Sequence, residues 1–263
     1  MSAAEVSTKV LVLAHAADSG AESVAALLRD TLGSERVRIV RPETLSLASW
    51  SHRVNASGSA STRLTMPGGS VIDDHLVAAV FNRIRYLPVP RFQRASLKDR
   101  DYAGAEMQSL VASWLAAFRD RVVHIVREHP WVTPMLPLQH WADAAARCGL
   151  PIAVRTIGSS PRALRLREGS PSDPARAGGP PNEGVGSVLV AGHRAEGSLA
   201  ATFGTRCVDV ARLLRFPLLE FRFVADRNTS ALVDANAFPL LLEPWEASVA
   251  ADLIGSIATR GVA

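Results

Sequence analysis

His15, Asp18 and Ser19 follow directly on the apolar run Val10 to Ala14, and an imidazole, a carboxylate and a hydroxyl in that place could hold or activate a polar substrate. The reason is topological, because a parallel sheet gathers its chemistry at the C-terminal ends of its strands. A simpler reading stands beside it and is preferred: Asp18 or Ser19 caps the helix that follows. Further on, the apolar segment Leu76 to Phe81 exits into Asn82, Arg83, Ile84 and Arg85, which sets two cations at a second strand end. The seven histidines, at 15, 52, 75, 124, 129, 140 and 193, show neither HxxxH nor HExxH spacing. Asp73-Asp74-His75 is a lone acidic cluster in an expected loop, and His193 reads as a surface histidine. There is no P-loop, no Gly-x-Ser-x-Gly elbow and no Gly-x-Gly-x-x-Gly, so kinase, hydrolase and dehydrogenase templates have no foothold.

These side chains need elements to position them. Lys9 to Ala14 is a buried strand, and Val24, Leu27, Leu28 and Leu32 are spaced for one face of a helix. Val37 to Val40 is a second strand, so the opening reads β-α-β, the unit of a helix-covered parallel sheet. Residues 50 to 70, rich in Ser and Gly, predict a loop and an edge hairpin. Met107, Leu110, Val111, Trp114, Leu115 and Phe118 mark an amphipathic helix, with Trp114 in the core. Val122 to Val126 reads as a strand and Leu138 to Cys148 as a helix bearing Trp141, ended by Gly149. Pro151 to Ile157 returns as a strand. Val185 to Ala191 is another, a helix runs from Thr205 to Leu214, and Leu218 to Val224 pairs with Ala231 to Asn236 as a hairpin. A last helix opens near Pro244.

Composition bounds the rest. A chain of 263 residues folds without disulfides or metals. Cys148 and Cys207 stand too far apart in sequence for a paired motif and read as two buried thiols in a reducing cytoplasm. The early apolar run is too short for a signal peptide or a membrane span, which predicts a cytoplasmic protein. With 29 Lys+Arg against 25 Asp+Glu the formal charge is only +4, and Lys9 and Lys98 are the sole lysines. Arginine replacing lysine throughout reflects composition, so nucleic acid is not an expected partner. Residues 169 to 186 hold five glycines and four prolines, which predicts a flexible segment.

An ordered set of short motifs then resembles a known family. Val80-Phe-Asn-Arg-Ile84 precedes a helix start at Asp101-Tyr-Ala-Gly-Ala-Glu106, and Gly149-Leu-Pro-Ile152, Thr156 and Ser159-Ser-Pro161 follow. Leu214 to Phe223, a turn, and Leu232-Val-Asp-Ala-Asn-Ala-Phe-Pro239 are similar to the closing hairpin of ATP-grasp enzymes and its Glu-x-Asn-x-x-Pro motif. The likeness is strongest to members that modify ribosomal peptides or join amino acids, and it covers residues 1 to about 160 and 187 to 263. It implies an α/β fold: a pre-ATP-grasp parallel-sheet domain over 1–135 and a reduced α+β ATP-grasp part over 136–263.

The resemblance also implies chemistry. The family phosphorylates a carboxylate with Mg-ATP and lets an amine or hydroxyl attack the acyl phosphate, so Mg-ATP is the implied cofactor. Asp234 falls at the family's metal-binding Glu and Asn236 at its Asn. Arg222 stands where a metal-binding Asp belongs, with Glu220 as the one carboxylate that could replace it. No lysine follows Lys98 to neutralise phosphates; Arg162, Arg165, Arg167 and Arg194 are the cations in the region that could stand in. The expectation is a shortened ATP-grasp relative whose ordinary Mg-ATP site is vestigial at Asp234 and Asn236. It would act as a substrate-binding or partner subunit, beside a full-length ATP-grasp protein or as a homodimer. A working carboxylate-amine ligase, or an ATP-independent enzyme in the same cleft, is the alternative. His15, Asp18, Ser19, Arg83, Arg85, Glu220 and Arg222 are the expected substrate-binding residues, for a peptide or amino acid.

Overall fold

The computed structural model describes residues 10–124, 138–153, 185–226 and 229–260. In chain order the first half carries β1 (Val10–Leu13), α1 (Ser19–Leu32), β2 (Val37–Val40), α2 (Pro42–Leu47), β3 (Ser49–Val54), β4 (Ala60–Thr65), β5 (Val71–Asp73), β6 (Ala79–Asn82), α3 (Leu97–Ala117) and β7 (Val122–Val123). The second carries α4 (Leu138–Arg147), β8 (Val185–Ala191), β9 (Arg194–Glu196), α5 (Ala200–Leu214), β10 (Leu218–Asp226), β11 (Thr229–Asn236) and α6 (Pro244–Arg260). Parallel and antiparallel sheets with helices make this an α/β protein. Of the segment 169–186, all but Val185 and Gly186 lies outside the described residues.

The chain divides into two compact units. One comprises Met1–Met135, Phe216–Leu219 and Ala237–Ala263; the other comprises Leu136–Arg215 and Glu220–Asn236. In the first, strands β2-β1-β6-β7 form an all-parallel sheet whose register sets Leu11 opposite Val80 and Val80 opposite Val122. Leu11, Leu13, Val80 and Val122 share one face, as the period of two requires, and pack with Val111, Trp114, Leu115 and Phe118 of α3 in one buried core. Leu64, Met66 and Ile72 join that core from a three-stranded antiparallel sheet, β3-β4-β5. Sequence predicts only a loop and hairpin here, because β4 is mostly polar and turns just Thr62 and Leu64 inward.

Helix α3 begins ten residues before its apolar face becomes visible. The Ser96 hydroxyl accepts from the Asp99 amide at 3.2 Å and fixes the start, while the first turns are polar and leave Tyr102 exposed. Helix α5 likewise starts at Ala200 rather than Thr205, with no side-chain cap to announce it. Residues 237–260, which the sequence reading placed in the second part, lie in the first unit because α6 packs on α1 and β6. A Cβ on Gly20 would come within 2.2 Å of the Leu240 carbonyl oxygen, so only glycine permits that approach.

In the second unit β11-β10-β8-β9 form a mixed-order sheet joined by antiparallel pairs β10–β11 and β8–β9. Phe203 of α5 stacks on Phe223 of β10 with ring centroids 4.8 Å apart. The strand expected over Pro151–Ile157 is represented among described residues by a single bridge, Ile152 to Leu232. Cys207 is buried, which pushes its thiol up to about 12, but Cys148 is only partly buried, unlike the expectation of two buried thiols. No helix among the described residues is long and apolar enough to cross a membrane.

Candidate functional site

The parallel sheet ends in a polar edge. Leu13 lies in register with Val40 and Asn82, and Phe81 with Val123, so His15, Arg41, Arg83 and His124 all emerge at the C-terminal side of their strands. Asp18 serves two partners there. Its Oδ1 accepts from the Ala21 amide at 2.9 Å, capping α1, and its Oδ2 accepts from Arg83 Nε at 2.9 Å. Arg83 is almost wholly buried, and its Nη1 donates to the Pro239 carbonyl at 2.7 Å. The cap reading of Asp18 therefore holds, and its carboxylate also forms an ion pair with Arg83. Ser19 is the first residue of α1 and is exposed.

Two cations at this edge differ in what they can do. Arg41, which sequence reasoning missed, donates to the carbonyls of Ala14 and His15 at 3.2 and 2.8 Å and pairs with Glu22, so it braces the exit of β1. Its place one residue past β2, like that of Arg83 past β6, was the available clue. Arg85 is exposed, lies 5.5 Å over the Phe238 ring, and forms no salt bridge among the described residues. Its pKa is lowered first by partial burial and then by Arg83, with Asp18 opposing.

His124 was also missed. It is 1% exposed, has a left-handed φ of 69°, stacks on Phe238 at 4.7 Å and faces Asn82 O through Nδ1 at 3.2 Å. Asn82 returns the contact, donating through Nδ2 to the His124 carbonyl at 3.3 Å. Burial, and then the charge of Arg83, lower the His124 pKa well below the usual imidazole value. The Nδ1 proton is therefore donated to Asn82 and Nε2 is an acceptor; Nε2 of both His124 and His15 is buried without a hydrogen-bond partner. His15 stacks on Tyr86 with centroids 4.4 Å apart.

A pH dependence follows. The folded state keeps His124 neutral while the unfolded chain takes up a proton below about pH 6.5, so this residue's contribution is complete above that pH and is lost as pH falls toward the depressed folded value. Chemical unfolding should show a stability slope approaching about 1.4 kcal/mol per pH unit below pH 6.5. His124→Asn, which tolerates the left-handed backbone, should remove that increment; an unchanged slope would assign it elsewhere.

The second group lies on the β10–β11 hairpin. Glu220 is opposite Asn236 and Arg222 is opposite Asp234, so all four share one face, before a bulge after Arg222. Arg222 forks onto Glu220, donating through Nε to Oε1 at 3.1 Å and through Nη2 to Oε2 at 3.2 Å. Asn236 Nδ2 adds a third donor to Oε2 at 3.1 Å. Glu220, the carboxylate expected to replace a missing metal ligand, is thus engaged by a guanidinium and an amide, both on an acceptor that is 9% exposed. Mg²⁺ needs several free oxygen ligands, and a cation already occupies the buried carboxylate here. In this arrangement Glu220 is not a free oxygen ligand. The seven predicted substrate-binding residues fall into two groups, His15, Asp18, Ser19, Arg83 and Arg85 in one unit and Glu220 and Arg222 in the other. Of the arginines considered as phosphate ligands, Arg194 pairs with Glu196, while Arg162, Arg165 and Arg167 lie outside the described residues.

A parallel-sheet unit joined to an α+β unit with this hairpin is the ATP-grasp fold. Among solved structures the chain is similar to a RiPP-associated ATP-grasp ligase of Chryseobacterium gregarium, in complex with ADP and a leader and core peptide: TM-score 0.70, 10% identity, 94% of this chain and 96% of that one. It is similar to macrocyclase MdnC of Microcystis aeruginosa bound to precursor peptide MdnA, with TM-score 0.69 and 11% identity over 94% and 99% of the two chains. ATP-grasp ligase PsnB with minimal precursor, Mg and ADP gives TM-score 0.65 and 15% identity over 97% and 99%. No protein-family model matches the sequence, and no curated protein matches it.

Proposed function

We propose that this chain takes part in ribosomal-peptide modification as an ATP-grasp-type protein that binds a peptide but does not bind Mg-ATP in the ordinary way, serving as a substrate-binding or partner subunit. The fork of Arg222 on Glu220 carries this reading, because it sets a positive charge on the carboxylate that a metal would need. The absence of lysine after Lys98 supports it. Fold likeness along nearly the whole of ligases solved with precursor peptides supports a peptide as the bound molecule. His15, Asp18, Ser19, Arg83 and Arg85 are assigned to that role, with exposed Arg85 meeting an acidic side chain or a C-terminal carboxylate.

The second reading, a working ligase, is favoured by the extent of that likeness to a ligase holding ADP. Calorimetric titration separates the two. Mg-ATP should give no saturable heat at micromolar concentrations; a micromolar Kd, about 8 kcal/mol of binding, would overturn the first reading in favour of the second.

A further inference from the structure

We propose that Asp73, Asp74 and His75, at the end of β5, form a binding site for a divalent transition-metal ion, with Zn²⁺ as its simplest occupant. The observation behind it is an unsatisfied carboxylate oxygen. The Asp74 side chain is 7% exposed, its Oδ2 accepts from the Thr62 amide at 2.6 Å, and its Oδ1 is buried with no hydrogen-bond partner. An ionised oxygen in that state carries a desolvation cost that only a donor or a cation relieves. Within the cluster His75 Nε2 lies 3.6 Å from Oδ1, an ion-pair partner when the imidazole is protonated and a metal ligand when it is neutral.

One ligand atom from each of the three residues lies within 4.8 Å of the others. In a tetrahedral shell, bonds of about 2.1 Å set ligand atoms about 3.4 Å apart, so the side chains must draw together by about 1 Å to close the set around one ion. Asp73 is held by its own cap, Oδ1 accepting from the His75 amide at 3.2 Å, and Arg63 approaches its Oδ2 only at 3.9 Å. His75 is 75% exposed, so it is free to turn and the ion would complete its shell with water. Two carboxylates and an imidazole suit Zn²⁺ or Mn²⁺ over Mg²⁺, which prefers oxygen alone. The site belongs to the β3-β4-β5 sheet and shares no residue with the hairpin, so it stands apart from the functional reading above.

The experiment is calorimetric titration of the full chain with ZnCl₂, and with MgCl₂ for comparison. One Zn²⁺ should bind per chain, more tightly than Mg²⁺. His75→Ala and Asp73→Asn, both at partly or fully exposed side chains, should fold normally by circular dichroism and weaken binding by about 10-fold or more. Absence of Zn²⁺ binding, equal affinity for Mg²⁺, or wild-type affinity in folded His75→Ala would each overturn the site. Asp74→Asn is a less decisive variant because it also disturbs the bond to Thr62; His75→Ala keeps the test sound if it fails to fold.

Discussion

Asp18→Ala should lower folding stability by about 3–5 kcal/mol, the cost of leaving a buried charge without its partner. Arg83 is 3% exposed in its side chain, and the structure offers its Nε no other anion than Asp18. The same substitution removes the cap of α1, worth about 1 kcal/mol. Asp18→Asn separates the two effects, since asparagine caps well and carries no charge. Urea unfolding should rank Asp18→Ala below Asp18→Asn and both well below wild type. Adding Arg83→Met to Asp18→Ala should recover part of the loss, because the orphaned guanidinium is then gone. Should Asp18→Ala cost under about 1 kcal/mol, the pair would be a surface-like contact and the strand-end group would lose its anchor.

The second large effect belongs to the hairpin. Arg222→Asp should raise Mg²⁺ affinity by at least about 10-fold, or about 1.4 kcal/mol, by gathering its new carboxylate with Glu220, Asp234 and Asn236 on one face. Without metal the variant should be less stable than wild type, since Glu220 then faces other acids without its guanidinium. Added Mg²⁺ should restore the loss. Arg222→Gln removes the cation without supplying a ligand, so it distinguishes relief of repulsion from creation of a site. Equal Mg²⁺ binding by wild type and Arg222→Asp would refute descent of this hairpin from a metal-binding one.

Much of this arrangement is legible in residue order. The unbroken apolar run at Val10 and the short, largely apolar stretch at Val37 define β1 and β2 without tertiary help, and the two-residue period already sets Glu220 beside Arg222. What the period cannot tell is which partner a side chain chooses. Arg222 forks onto Glu220, two residues back along its own strand. His124 was illegible because its burial depends on Phe238, far along the chain, and its left-handed backbone follows a strand of only two residues. The three-stranded sheet was half visible, since a mostly polar strand with a single large apolar residue, Leu64, looks like loop.

The discontinuity of the first unit bears on how the protein is made. A ribosome delivers β1 to β7 first, then the whole second unit, and only afterwards α6, whose buried Val249, Ile254 and Ile257 complete the packing around α1 and β6. During synthesis the side of α1 that α6 covers waits while the whole chain between Leu32 and Pro244 emerges. The later unit, continuous but for one short strand segment, can close on itself sooner, so the part of the molecule that begins first is the part that is finished last.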